Sequence, residues 1–230
     1  MKYYIDTEFI EGFHKPLFGK RRHFIDLISI GIVCEDGGEY YAVSNEFNPK
    51  DANQWVKDNV ISKLPKRRVD YYDGPRMRAD SLLWKSNNRI ADDIKKFIYK
   101  TSGINDPFSI SNWDQIKSKF SIEFYGYYAD YDWVLFCSLF GTMMDLPKGF
   151  PMYCRDLKQS LDEANYQLRK AGIDNALLNC EFHSFTMDNN GSNKRLEYQC
   201  HNDYPKETNE HHALADARWN MALHKFLEHL

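Results

Sequence analysis

Asp6 and Glu8 lie two residues apart in Tyr3-Tyr4-Ile5-Asp6-Thr7-Glu8-Phe9. At that spacing on a strand, both side chains point to one face of a sheet. Neighbouring carboxylates repel, and burying them unpaired is costly. A hard, oxygen-ligated divalent cation such as Mg²⁺ or Mn²⁺ removes that cost. Bare Asp-x-Glu pairs often sit on solvated faces. This one is embedded in an apolar-aromatic stretch, Lys2 to Ile5 continued by Phe9-Ile10, that reads as a core strand.

Two more acids stand where an element begins. The run Phe124 to Phe136 starts as an apolar strand, and Asp132 then opens a helical pattern with Trp133, Phe136 and Phe140 at helical spacings. An acid at such a junction is usually an N-cap. Asp130 fits that role better and leaves Asp132 as a candidate ligand. Downstream, His211-His212-Ala213-Leu214-Ala215-Asp216-Ala217-Arg218 begins the last helix, whose stripe of Trp219, Leu223, Phe226 and Leu230 is core. Asp216 lies in its first turns, beside Ala213 and Ala217, which permit close packing. A lone acid there most often serves the helix dipole. His211, at or before the helix start, can approach a substrate and accept a proton.

Together these three stretches resemble the exonuclease motifs of the DEDDh superfamily of 3′-5′ exonucleases. More closely, the chain is similar to the polyadenylate-specific 3′-exoribonuclease AS family of bacteria and its phage relatives. The likeness is carried by residues 4–10, 26–33, 39–47, 129–132 and 213–218, and covers most of the chain. It implies a single α/β exonuclease domain over residues 1–230, a ribonuclease-H-like mixed β-sheet flanked by α-helices. It also implies two-metal phosphodiester hydrolysis. Asp6, Glu8, Asp132 and Asp216 would hold two Mg²⁺ or Mn²⁺ ions, Asp6 bridging both. His211 would be the general base. His212 is the alternative base, one residue short of the family spacing and otherwise a solvent-exposed histidine.

The implied substrate is single-stranded RNA with a free 3′ end, adenylate tails preferred, and the implied assembly a homodimer. Phe9 is a candidate for base stacking or, equally, a core aromatic. Ser29 and Glu46 lie in stretches shared with the family and are the other candidate substrate contacts. Lys20-Arg21-Arg22 and Lys66-Arg67-Arg68 could track phosphates, although such runs are commonly solvated loops. Two stretches depart from the family as insertions: residues 13–23, and residues 181–202, where Asp188-Asn189-Asn190-Gly191 marks an added hairpin before the last helix.

Composition is consistent with this reading without pointing to it. A chain of 230 residues can bury a core without staples. Five scattered cysteines with no C-x-x-C pair fit reduced thiols in the cytoplasm and no structural zinc. No signal peptide or membrane-length apolar run is evident. The net charge of −3 does not advertise nucleic-acid binding, but the four candidate ligands alone contribute −4. The competing readings are the same chemistry on single-stranded DNA, a catalytically silent nucleic-acid-binding module, and a nucleotide phosphohydrolase. The last lacks a Gly-rich phosphate loop.

The elements needed to position these groups follow from periodicity. Residues 2–9, 24–35 and 39–46 read as sequential strands with a turn at Asp36-Gly37-Gly38. A short helix is expected over 51–60 with Trp55, Val56 and Val60 inward, and further helices over 90–99, from Trp133, and over 155–170. A fourth strand is expected over 120–128.

Overall fold

In a computed structural model, residues 1–14, 18–66, 82–104, 121–170, 186–187, 194–195 and 197–230 are described. The protein is an α/β fold built on a six-stranded mixed sheet in the order β4-β3-β2-β1-β5-β6, consistent with the ribonuclease-H-like expectation. β1 (Lys2–His14), β2 (Arg22–Cys34) and β3 (Glu39–Ser44) form an antiparallel meander. The short strands β4 (Trp84–Lys85), β5 (Glu123–Gly126) and β6 (Arg155–Asp156) add in parallel. The described helices are α1 (Gln54–Asn59), α2 (Asn87–Thr101), α3 (Asp130–Ser138), α4 (Leu157–Lys170) and α5 (Ala213–Glu228).

β1 and β2 are buried on both faces because helices cover both. Tyr3 and Ile5, with Ile30, Ile32 and Cys34 of β2, pack against the buried side chains of α2 and α3. Tyr4 and Val33 point the other way, into a cluster with Ala217, Trp219 and Leu223 of α5. The period-2 alternation therefore places Asp6 and Glu8, two and four residues after Tyr4, on the α5 face. The register shifts just after Glu8, which faces Ser29, whereas Phe9 faces Leu27. Ile28 is the extra residue of this bulge, and the bulge re-aims the strand next to the acids.

Several elements differ from their sequence-based expectation. β1 and β2 run on past the expected strand ends, Phe13 pairing with His23 and His14 with Arg22. Arg155 and Asp156 are a strand, not the start of a helix, because Asp156 accepts the Lys158 and Gln159 amides and caps α4 itself. β4 is two residues long and carries no readable alternation. Within 181–202, β7 (Thr186–Met187) and β8 (Lys194–Arg195) pair antiparallel, as the added hairpin requires. Its turn, and most of the basic stretch 64–78, lie outside the described residues.

Candidate active site

Three carboxylates meet where β1 passes under the start of α5. One oxygen each from Asp6, Glu8 and Asp216 lie within 4.8 Å of one another. β1 supplies the first two through its alternation. Asp216 is delivered by the close approach of α5 to the sheet, and that approach depends on Gly31. A Cβ at Gly31 would lie 2.3 Å from the Ala213 carbonyl oxygen and 2.4 Å from the Leu214 nitrogen. Gly31 faces Asp6 across the β1/β2 ladder, so helix and acid meet at the glycine. Ala213 and Ala217 are fully buried, and the Asn220 side-chain amide donates to the Ile5 carbonyl at 2.9 Å. One Asp216 oxygen accepts the His212 amide at 3.1 Å, a first-turn position that the helix dipole also favours.

Asp132 stands beside this group rather than within it. Its Oδ1 accepts both the Thr7 amide (2.8 Å) and the Thr7 hydroxyl (2.6 Å). It comes from the first turn of α3, on the opposite side of the sheet from α5. The cap of α3 is Ala129, with no side-chain cap bond, so Asp130 is the first helical residue and not the N-cap expected from sequence. Asp132 is buried, and its charge acts on both Asp6 and Glu8.

His211 has φ of +63°, a left-handed backbone uncommon outside glycine. It lines a cavity of about 150 Å³ with Asp6, Asp216, Glu210, Tyr127 and Trp219. The indole of Trp55 packs against its ring, centroids 4.8 Å apart and nearly perpendicular. Trp55 is 54% exposed, contrary to the inward orientation expected for it, and Val60 alone of that trio is fully buried. Lys63 donates to the Glu210 carbonyl at 2.6 Å and so ties the His211 loop to the segment after α1. His212, expected to be solvent-exposed, is half-buried and stacks on Tyr41 at 4.6 Å. Burial lowers its pKa, with Arg218 and Lys63 acting the same way.

Crowding of the acids has an electrostatic consequence. Burial, then the charges of Asp132, Glu8 and Asp216, pushes the Asp6 carboxyl well above its usual range. Burial and the charges of Asp216 and Asp132 bring Glu8 up to about 8, with Lys63 opposing. Burial raises Asp132 and Asp216 to about 6 each, against the hydrogen bonds from Thr7 and from the His212 and His211 backbone respectively. Folded-state values above the unfolded ones mean that protons stabilise the fold. That contribution is complete below about pH 4 and is lost as pH rises through 6 to 8. The metal-free protein should therefore melt at a lower temperature at pH 8 than at pH 5.5. Millimolar Mn²⁺ or Mg²⁺ should raise the melting temperature at pH 8 and leave it nearly unchanged at pH 5.5. Thermal scans with and without EDTA check this; equal cation effects at both pH values would contradict it.

Residues 1–227 match the 3′-5′ exoribonuclease Rv2179c-like domain family. The chain belongs to that family. Among its relatives are two Mycobacterium tuberculosis proteins, 3′-5′ exoribonuclease Rv2179c (strain ATCC 25618 / H37Rv) and 3′-5′ exoribonuclease MT2234.1 (strain CDC 1551 / Oshkosh). Each is 37% identical over 159 residues, covering 69% of this chain and 73% of the relative.

Within this exoribonuclease-domain fold the candidate substrate contacts occupy three different environments. Phe9 is partly buried against the core and packs on Tyr131, centroids 5.5 Å apart. Ser29 is buried opposite Glu8. Glu46 is exposed and accepts the Asn87 amide at 2.8 Å, lining a separate cavity with Asp26. Sequence reasoning overlooked Thr7, Gly31, Lys63 and Asn220. Only Gly31 carried a signal: an isolated glycine inside an apolar strand marks close backbone approach. No described helix is long and apolar enough to cross a membrane.

Proposed function

We propose that the protein is a divalent-metal-dependent 3′-5′ exoribonuclease that releases nucleoside 5′-monophosphates from single-stranded RNA 3′ ends, with adenylate the favoured base. The observation that carries this reading is the meeting of Asp6, Glu8 and Asp216, two of which, Asp6 and Asp216, line one cavity with His211, in a chain of this exoribonuclease-domain family. The donor set fits the cation: all three ligand atoms are carboxylate oxygens, as Mg²⁺ and Mn²⁺ prefer. Their mutual repulsion also leaves them in need of positive charge.

Asp6, Glu8 and Asp216 would hold a cation between them, and Asp132 would join Asp6 in holding a second. When bound, such ions supply Lewis acidity toward water and the phosphodiester and offset the developing negative charge. His211, on the cavity wall, takes the proton from the attacking water at a ring nitrogen. Trp55 and the Lys63–Glu210 bond hold the His211 loop at that wall.

The test is a substrate panel: homopolymer RNAs, mixed RNA, a duplex with a 3′ overhang, and single-stranded DNA, each with Mg²⁺, Mn²⁺ or EDTA. Stepwise shortening of RNA from the 3′ end, fastest on oligoadenylate and absent in EDTA, is expected. Degradation of DNA with RNA spared would overturn the ribonuclease assignment. His211→Ala should keep Mn²⁺ uptake and lose turnover; normal turnover would remove His211 from the role given to it.

A further inference from the structure

Beyond Tyr4, no described strand pairs with the β5-facing edge of β1. β5 pairs only with Lys2, Tyr3 and Tyr4, and its last residue is Gly126. Buried backbone groups along such an edge need partners. The Asn220 side chain meets the Ile5 carbonyl, and Asp132 meets the Thr7 amide. Asp132 thus stands in for the next residue that a longer β5 would have offered. Thr7 adds a second bond through its hydroxyl to the same Oδ1. Both groups are buried, Thr7 at 5% and Asp132 at 6% exposure, so neither is screened by water.

We infer that Thr7 is a positioning residue for the metal site: its hydroxyl and amide fix the Asp132 carboxylate and leave Oδ2 as the oxygen free for a cation. This rests on the metal-dependent reading proposed above. Without the hydroxyl, Thr7 holds Asp132 through its amide alone, and the carboxylate is freer to rotate about its Cβ–Cγ bond. A buried ligand that is free to rotate binds a cation more weakly, which is the usual result when an outer-shell partner is lost. Thr7 lies between the two acids of β1 yet points to the opposite face. Its effect therefore reaches the cation through Asp132 and not by direct contact.

Thr7→Val keeps the shape and the amide but removes the hydroxyl. Thr7→Ser keeps the hydroxyl. Mn²⁺ uptake is measured by calorimetry, and the Mn²⁺ concentration for half-maximal RNA cleavage is measured separately, for both variants, wild type, Asp132→Asn and the double variant. Thr7→Val should raise the half-maximal Mn²⁺ concentration about 10- to 100-fold, with a smaller change in turnover at saturating Mn²⁺. Thr7→Ser should stay within about twofold of wild type on both readouts. In the Asp132→Asn background, adding Thr7→Val should change neither readout by more than about twofold, because the two residues act as a unit. The inference is overturned if Thr7→Val matches wild type in Mn²⁺ dependence. It is also overturned if Thr7→Ser is as impaired as Thr7→Val, or if the two changes add independently. A wild-type protein that takes up no Mn²⁺ defeats the metal-dependent reading itself, which the other outcomes leave standing.

Discussion

Asp216→Asn should cost on the order of 10³-fold or more in RNA turnover, the scale on which the loss of one member of a catalytic unit is felt, while making the metal-free protein more heat-stable at pH 8. The two effects have one cause. Asp216 is the largest charge acting to raise Glu8 and also raises Asp6. Asparagine keeps the oxygen that accepts the His212 amide, so the start of α5 stays capped. What disappears is the negative charge, and with it the third carboxylate of the proposed metal site and the repulsion within the cluster. The measurements are a time course of oligoadenylate shortening in saturating Mn²⁺ and a pair of thermal scans in EDTA at pH 8 and pH 5.5. The stability gain should be present at pH 8 and small at pH 5.5, where the wild-type acids already carry protons. A variant that loses turnover and also melts lower at pH 8 would mean that Asp216 is chiefly a structural residue of α5.

How much of this site was legible in the sequence differs from residue to residue. Asp6 and Glu8 could be assigned to one face because strand alternation is rigid, and β1 obeys it through both acids before the bulge after Glu8 intervenes. The last helix was legible from its apolar stripe, and with it the neighbourhood of Asp216 and His211. Asp132 could be singled out, but its partner could not. Its bonds to Thr7 follow from the early end of β5, a property of strand lengths that no local pattern encodes. Trp55 failed for a related reason. A tryptophan on a short helix was expected to seek the core, but α1 runs only six residues and contains no buried residue. The indole instead lies exposed against His211. Likewise, His212 could not be read as half-buried before it was known that β3 places Tyr41 beneath its ring.

The pieces that escaped reading share a function. Thr7, Gly31, Lys63 and Asn220 bear no catalytic chemistry of their own. Each satisfies a backbone group, removes an obstruction or ties down a loop, and so fixes a side chain of the candidate site. Their types are ordinary, and their importance arises only from what the fold places opposite them.

Gly31 is the sharpest case. Gly31→Val should abolish RNA cleavage and destabilise the fold together. The first side-chain atom would lie 2.3 Å from the Ala213 carbonyl oxygen and 2.4 Å from its carbon, both backbone atoms that cannot turn aside as a flexible side chain can. Either α5 lifts from the sheet, or β2 bends away from β1. Lifting α5 opens the cluster around Ala217, Trp219 and Leu223 and carries Asp216 away from Asp6 and Glu8. Overpacking of this kind costs about 3 kcal/mol or more, roughly 6–12 °C in the melting temperature of a chain this long. Gly31→Ala introduces the same first atom and should lose most of the activity as well. Activity should fall even well below the melting temperature, because the displacement bears directly on the distance between the three acids. Mn²⁺ should then give less thermal stabilisation at pH 8 than it gives wild type. If Gly31→Ala instead retains wild-type turnover and wild-type stabilisation by Mn²⁺, the contact between β2 and the first turn of α5 does not set the spacing of the acids.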